Sequence, residues 1–292
     1  MSGQSDGDLD EVFGAVADGT RLDILRALWE QRQGQERRDQ EPVAFSTLRE
    51  AVGVRDSGRF NYHLDKLRPH FVRKTGDGYA LTYAGSRVVG AAVSGVYTDT
   101  DAELEPIRLE ECYEDDCAGT IRARYESGTM HIECDTCDVR TVISAPPILV
   151  GAHDPAADPS VLGRFALTVI QKTIRGFCHV CNGPVRTSLA PEDPGGLDGD
   201  VVVAHECLEC GSTSYTSAVT TVLDHPATVA VLHEAGIDYR EGLFWQDRDA
   251  YAWEERVVAT DPAEVEVTLT VGEETLTFRL DEDLEVFEYG RD

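Results

Sequence analysis

Apolar residues recur at helical spacing through the first hundred positions of the chain. Leu9, Val12, Phe13 and Val16 stand at i, i+3, i+4 and i+7, which predicts a helix with one buried stripe ending near Asp18-Gly19. Thr20 is placed to cap a second helix, with Asp23 in its first turn and Leu22, Leu25, Leu28 and Trp29 on its inner face. The polar stretch from Gln31 to Glu41, closed by Pro42, predicts a loop. Ser46 then opens a short helix with Leu48 and Val52 inside and Gly53 at its end. After a tight turn, Ser57 to Leu67 places Phe60, His63, Leu64 and Leu67 on one side. From Phe71 to Leu81 two strands flank Gly76-Asp77-Gly78, where Asp-Gly supplies the positive φ angles that a hairpin turn needs. Ala84 to Val96 is a last helix, rich in small residues (Ala84, Gly85, Gly90, Ala91, Ala92) that suit close packing against another helix, and so a candidate dimer surface.

Downstream the pattern turns to strands. Thr98 to Glu111 is acidic and poor in structural signals, as a linker would be. Two cysteine-bearing β segments then flank a helix from about Asp158 to Gly176, whose apolar stripe is Leu162, Phe165, Val169 and Ile170. Another helix opens at Pro226 and stops at Gly236, followed by Trp245 and Trp253. Val265, Val267, Leu269 and Val271 alternate with polar residues, as do Leu276, Phe278 and Leu280 after Gly272-Glu273-Glu274, which is the period of a half-buried strand pair. The expected class is α+β, in four regions: a helical and hairpin domain over 1–97, an acidic linker over 98–111, a cysteine-bearing β region with an intervening helix over 112–220, and a small α+β region over 221–292. No apolar run approaches the roughly 20 residues of a membrane span, and the opening MSGQSDGDLDE lacks the features of a signal peptide. A soluble cytoplasmic protein with no membrane partner is expected.

Charge is distributed unevenly. The 292 residues hold 54 Asp+Glu against 26 Lys+Arg, a net charge of −28, but residues 1–98 carry 13 basic and 14 acidic side chains and are nearly neutral. Between 49 and 74 the sign reverses: Arg49, Arg55, Arg59, Lys66, Arg68, Arg73 and Lys74 face only Glu50, Asp56 and Asp65. That patch is where phosphates would meet the chain. Lys66, Lys74 and Lys172 are the only lysines, and the acidic, lysine-poor composition resembles that of proteins from salt-in halophilic archaea. An acidic domain that repels nonspecific nucleic acid is the plainer alternative, and both can hold.

A helix that reads the major groove needs long polar side chains on one face and apolar anchors on the other. Ser57, Arg59, Asn61, Tyr62 and Lys66 lie away from Phe60, Leu64 and Leu67, while Arg73 and Lys74 occupy the hairpin. Arg can pair with guanine and Asn with adenine, each pairing discriminating by about 1–3 kcal/mol. VADGTRLDILRAL, then SGRFNYHLDKL, then GDGYALT resemble the ArsR-like family of winged helix-turn-helix transcription regulators, over about the first 97 residues. The resemblance implies a homodimer formed largely by the first and last helices of the domain, double-stranded DNA as partner, and Ser57 to Leu67 as recognition helix. Asn61 stands where the family commonly has Ser, so base preference does not transfer. Many members sense metals through Cys or His on the helix before the recognition helix or on the last one. Phe45 to Val52 and Ala84 to Val96 contain neither, and His63, the motif histidine, is expected to pack within the domain.

All eight cysteines lie beyond residue 98, as Cys112/Cys117, Cys134/Cys137, Cys178/Cys181 and Cys207/Cys210. Three pairs are C-x2-C, the spacing that lets two thiolates meet one tetrahedral ion, and the first is C-x4-C. Gly183 and Gly211 follow their pairs closely, where a positive φ could aim backbone N–H groups at sulfur. Two structural Zn2+ sites in sequence order are the simplest assignment, each a zinc-ribbon-like segment held by four thiolates. Disulfides, disfavoured inside cells, and a redox or iron–sulfur role are the alternatives. His131, His179 and His205 are surplus to a four-thiolate shell. The downstream half, including HPATVAVLHEAGIDYREGLFW, resembles uncharacterised C-terminal domains that accompany such regulators in haloarchaea.

The expected function is a dimeric, sequence-specific transcription regulator whose zinc-bearing half serves a small-molecule or protein effector. The alternative is a zinc-containing protein-interaction adaptor associated with the transcription machinery. An enzyme is not expected: there is no phosphate-binding Gly loop, nucleophile motif or zinc-hydrolase signature, and the acidic clusters at Glu110 to Asp116 and Glu192 to Asp200 read as solvated surface.

Overall fold

The computed structural model describes residues 6–31, 42–114, 116–190, 201–240 and 251–292. The loop expected before Pro42, the acidic cluster at Glu192 to Asp200 and Trp245 lie outside the described residues. The chain divides into two units, Met1–Thr100 (unit 1) and Asp101–Asp292 (unit 2), and together they are of mixed α+β class.

Unit 1 runs α1 (Asp6–Val16), α2 (Gly19–Glu30), β1 (Val43–Ala44), α3 (Phe45–Val52), α4 (Ser57–Leu67), β2 (Val72–Thr75), β3 (Gly78–Leu81) and α5 (Tyr83–Val93). The three strands form an antiparallel sheet in the order β1-β3-β2. Asp18, not Thr20, caps α2, its carboxylate accepting from the Arg21 N–H at 3.1 Å. α3 begins one residue before Ser46, with Ala44 at its cap and no side-chain cap bond, and ends as expected at Gly53, which has a positive φ of 74°. Asp56 caps α4 through the Arg59 N–H at 2.6 Å, and Thr82 caps α5 through the Gly85 N–H.

The hub of unit 1 is α2. Ile24, Leu25, Ala27 and Leu28 are buried with Leu48, Phe60, Leu64, Leu67, Phe71 and Val72, whereas Leu22, expected inside, is 46% exposed. The buried face is centred on Ile24 and Leu28 because α2 is covered by α1, α3, α4 and α5, and Leu22 falls outside that cover. The stripe of α1 is likewise only half used. Ala15 is buried and Val12 and Val16 pack on the core, but Leu9 and Phe13 face solvent. His63 is buried on α4 with Nδ1 3.3 Å from the Asp18 carboxylate, which places the cap of α2 beside α4. Burial alone would raise the Asp18 carboxyl, but the Arg21 backbone N–H and the charges of His63 and Arg21 outweigh it and hold the group below its usual range. At Gly85 a Cβ would stand 2.2 Å from the Phe71 carbonyl oxygen, so only glycine lets α5 approach the hairpin this closely.

Unit 2 opens with a four-stranded antiparallel sheet in sequential order, β4 (Leu104–Glu111), β5 (Thr120–Glu126), β6 (Thr129–Cys134) and β7 (Arg140–Ser144). Residues 104–111 are therefore a strand and not the structure-poor linker expected there. Leu104, Ile107 and Leu109 pack on the core, and the intervening charged side chains had hidden this half-buried pattern. α6 (Ile148–Gly151) and α7 (Ser160–Ile174) follow, then a three-stranded antiparallel sheet of β8 (Val185–Leu189), β9 (Val202–Cys207) and β10 (Thr213–Ser217), then α8 (Val219–Val222) and α9 (Pro226–Glu234). A second four-stranded antiparallel sheet closes the unit: β11 (Tyr251–Thr260), β12 (Ala263–Val271), β13 (Glu274–Leu280) and β14 (Val286–Arg291). The expected hairpin is its centre, where Val265, Val267 and Leu269 stand opposite Leu280, Phe278 and Leu276, all fully buried.

α7 serves two cores. Leu162 and Ala166 join Ile121, Tyr125 and Met130 of the first sheet, while Leu167 joins Val203, Val222 and Leu269. The second core links β9 and α8 to the last sheet, so the boundary expected between residues 220 and 221 runs through one packed interior. A buried carboxylate stitches this junction: Glu255 on β11, 5% exposed, accepts from the Val201 N–H at 3.0 Å and the Val219 N–H at 2.5 Å. Removing it leaves both buried donors unpaired, each costing about 1–3 kcal/mol. Glu255→Ala is expected to lower unfolding free energy by about 2–5 kcal/mol in urea titrations in concentrated KCl, with Glu255→Gln, which keeps one acceptor, losing less. A loss below about 1 kcal/mol would show that water replaces the carboxylate.

Candidate metal centres and the exposed face of α4

The first cysteine set is assembled by strand ends. Cys112 follows β4, Cys117 precedes β5, Cys134 is the last residue of β6, and Cys137 sits in the turn to β7. The second set repeats the scheme. Cys178 and Cys181 lie in the turn between α7 and β8, Cys207 ends β9, and Cys210 occupies the turn to β10. Within each set the four Sγ atoms lie within 4.8 Å of one another. Cys112 to Cys137 is 3.6 Å and Cys117 to Cys134 is 3.8 Å; Cys178 to Cys210 is 3.7 Å and Cys181 to Cys207 is 3.5 Å. A disulfide would need about 2.05 Å, whereas the edges of a tetrahedron with zinc–thiolate bonds of about 2.3 Å measure about 3.8 Å. Each set is thus placed to hold one metal ion, in sequence order, with a geometry compatible with zinc.

Backbone donors are aimed at these sulfurs. The N–H groups of Gly119, Thr136, Val180, Gly183 and Cys210 point to Cys117, Cys134, Cys178, Cys181 and Cys207 at 3.3–3.5 Å. The Cys210 N–H draws the Cys207 thiol down to about 6. At Cys134 burial opposes ionisation, but the N–H groups of Cys137 and Thr136 prevail and bring the thiol to about 7. Cys112, Cys137, Cys181 and Cys210 move the opposite way. At Cys181 the Gly183 N–H favours the thiolate, yet the neighbouring Cys207 sulfur and burial push the thiol up to about 12, and burial raises Cys112 as well. Each set can therefore carry one thiolate readily, at the expense of its neighbours. A central cation removes that conflict.

Two glycines at these turns act through space rather than φ. A Cβ on Gly119 would lie 2.5 Å from the Cys134 Sγ, and this requirement had no visible signal in the sequence. At Gly183 a Cβ would crowd Glu209 and the Cys181 Sγ, at 3.0 Å and 3.1 Å, while the positive φ expected there falls on Asn182; Gly211 has its expected positive φ of 73°. His131, His179 and His205 belong to neither set. His205 is buried between the hydroxyls of Thr187 at 3.1 Å and Thr216 at 2.9 Å, and burial draws its pKa down to about 4, so it stays neutral as a core residue.

In unit 1 all seven residues singled out for DNA are exposed: Ser57, Arg59, Asn61, Tyr62 and Lys66 on α4, opposite the buried Phe60, His63, Leu64 and Leu67, and Arg73 and Lys74 on β2. Asn61 donates to the Asp65 carboxylate at 2.8 Å, Arg68 donates to the same carboxylate at 3.2 Å, and Lys66 Nζ stands 6.0 Å from the Tyr62 ring centroid. Asp65 therefore lies within the polar face and occupies the Asn61 amide. The i,i+4 spacing of Asn61 and Asp65 could have shown this contact in advance.

A family model described as Domain of unknown function (DUF7351) matches residues 110–286, and the chain belongs to that family. A second, Domain of unknown function (DUF7347), matches residues 9–92. No curated protein matches the chain. Among solved structures, the Bacillus megaterium YpeB C-terminal domain is 12% identical, with 72% of this chain and 97% of that chain covered and a TM-score of 0.15, too slight a likeness to carry an argument.

Metal analysis of freshly purified chain is expected to find two tetrahedral thiolate sites, one for each set, and cobalt substitution should give their absorption bands. Cys207→Ser should remove one ion and leave the other. Thiol titration showing disulfides, or purified protein without stoichiometric metal, would overturn the assignment.

Proposed function

We propose that the chain is a sequence-specific DNA-binding transcription regulator: unit 1 is a winged helix-turn-helix that acts as a homodimer, and unit 2 is a partner or effector module built on two structural zinc ions. The observation that carries this is the division of α4 into two faces, one docked on α2 and the other presenting Ser57, Arg59, Asn61, Tyr62 and Lys66 to solvent. α3 and α4 form the helix-turn-helix, with Gly53 breaking the first and Asp56 capping the second, and β2 with β3 forms the wing that carries Arg73 and Lys74. Arg59 can reach guanine, and Asn61 can reach adenine once it leaves Asp65. Lys66, Arg73 and Lys74 meet phosphate. Contacts of that kind weaken as salt rises, so at high salt base contacts and dimerisation must supply much of the binding. The ions serve as struts: four thiolates fill a zinc ion's shell and leave no position for substrate.

Exposed apolar side chains support the dimer. Leu9 and Phe13 on α1, and Val93, Val96 and Tyr97 at and beyond the end of α5, stand in solvent, with Phe13 66% exposed. A second reading, a protein-interaction adaptor, draws on Asp65, an acidic group within the face that would meet phosphates. A pull-down of transcription machinery that survives nuclease treatment and loss of the basic patch would favour the adaptor.

Footprinting and gel shifts in concentrated KCl should reveal a preferred site. Combining Arg59→Ala, Tyr62→Ala and Lys66→Ala is expected to weaken binding by about 10-fold or more, and Asp65→Asn to tighten it by removing a like charge. Absence of any preferred site, or a triple variant that binds like the parent, would sink the DNA function. Light scattering should report a dimer, and Phe13→Asp a monomer; a parent chain that is already monomeric would remove the dimer.

A further inference from the structure

Unit 2 carries an open-sided cavity of about 460 Å³, bounded by β7 (Arg140 to Ser144), one side of α7 (Val169, Ile170, Thr173), His179 and β10 (Thr213 to Thr216). Its size lies in the range of small-molecule sites, roughly 300–1,000 Å³. Among the described residues β7 pairs only with β6 and β10 only with β9, so the cavity lies between the edge strands of two different sheets.

The lining is chemically unlike the rest of the chain. The sequence holds 54 Asp+Glu, yet none of the described residues that line the cavity is acidic. Among the described residues of unit 2, every arginine except Arg140 is ion-paired with a carboxylate: Arg122 with Asp135, Arg175 with Asp224 and Arg291 with Glu274, for example. Arg140, at the cavity wall, makes no such pair. Lys172, on the helix that lines the cavity, has no carboxylate partner among the described residues and donates to the His179 carbonyl at 3.2 Å. Val142, Val169, Ile170 and Tyr215 supply apolar surface, and Thr141, Thr173 and Ser214 supply hydroxyls.

We infer that this cavity binds a small organic anion with an apolar body and one carboxylate, the carboxylate meeting Arg140 and the body lying against Val142, Ile170 and Tyr215. An unspent guanidinium in a pocket whose described lining holds no carboxylate, in a strongly acidic chain, selects for negative charge, and the apolar walls select against inorganic anions. In molar salt, where screening acts over about 3 Å, only a direct and partly enclosed contact retains that selectivity. The site is independent of whether unit 1 binds DNA, since binding is read on unit 2 itself.

The test is calorimetry on the full metal-loaded chain in concentrated KCl, with phenylacetate and octanoate as probes and their amides as neutral counterparts. At least one acid is expected to bind at one equivalent, about 10-fold or more tighter than its amide, as the loss of one charge-assisted hydrogen bond implies. Arg140→Gln should abolish that preference with metal content unchanged, and Ile170→Trp, which fills the cavity, should abolish binding of acid and amide alike. Should Ile170→Trp fail to fold, the amide shifts that the acid induces in the parent chain must cluster on β7, α7 and β10. No saturable binding of either acid, equal affinity for acid and amide, binding untouched by Arg140→Gln, or shifts centred elsewhere would each overturn the inference. So would capture of an extended peptide along β7 that is indifferent to Arg140→Gln while both acids fail to bind.

Discussion

Four thiols held within 4.8 Å of one another are the constraint on which unit 2 depends. Such a set cannot ionise fully without a cation at its centre, and it cannot spread apart without dismantling the strands that carry it. Cys134 and Cys207 are the final residues of β6 and β9, so the position of each sulfur is also the register of a strand. The backbone N–H groups aimed at these sulfurs complete the arrangement, because they favour thiolate where burial alone would favour thiol. Small sheets of three or four strands bury little apolar surface, and a metal ion that binds only the folded arrangement contributes its binding energy to folding.

The two sets share more than spacing. In each, the first cysteine meets the fourth and the second meets the third, and in each the last strand is followed by a four-residue helix and then a longer one, α6 and α7 after the first, α8 and α9 after the second. The unit is thus built twice on one plan, with β4 added before the first copy and a four-stranded sheet after the second. The edge strands β7 and β10 are equivalent members of the two copies, and the cavity lies between them because α7, packed into both cores, holds both in place.

Unit 1 rests on a different economy. Its core is continuous and apolar around α2, with Asp18 serving both as helix cap and as neighbour of His63. Because α4 buries Phe60, His63, Leu64 and Leu67, its remaining side chains have nowhere to go but solvent. Charge divides the units too: the acidic residues concentrate in unit 2, where nearly all described arginines are engaged by carboxylates, leaving the basic side chains of α4 and β2 in a nearly neutral setting.

Much of this was legible from local order. Helical spacing located α2, α4 and α7, Pro226 and Gly236 marked the ends of α9, alternation located β12 and β13, and cysteine spacing predicted both four-sulfur sets, because each of these signals is carried by residues a few positions apart. Where the sequence misled, the deciding contact was distant. Leu22 and Phe13 have the right period but lie beyond the reach of the helices that cover their neighbours, and β4 is a strand only because β5 pairs with it. Gly119 must be glycine because of a sulfur fifteen residues on, and Glu255 is buried because two backbone donors, one 54 and one 36 positions before it, converge on its carboxylate. Sequence alone determined which residues could face inward, turn or ligate, since those are properties of spacing and side-chain chemistry. The tertiary structure decided which of them meet, and it set one unpaired arginine at the wall of a cavity, because proximity between distant segments arises only when the strands and helices pack.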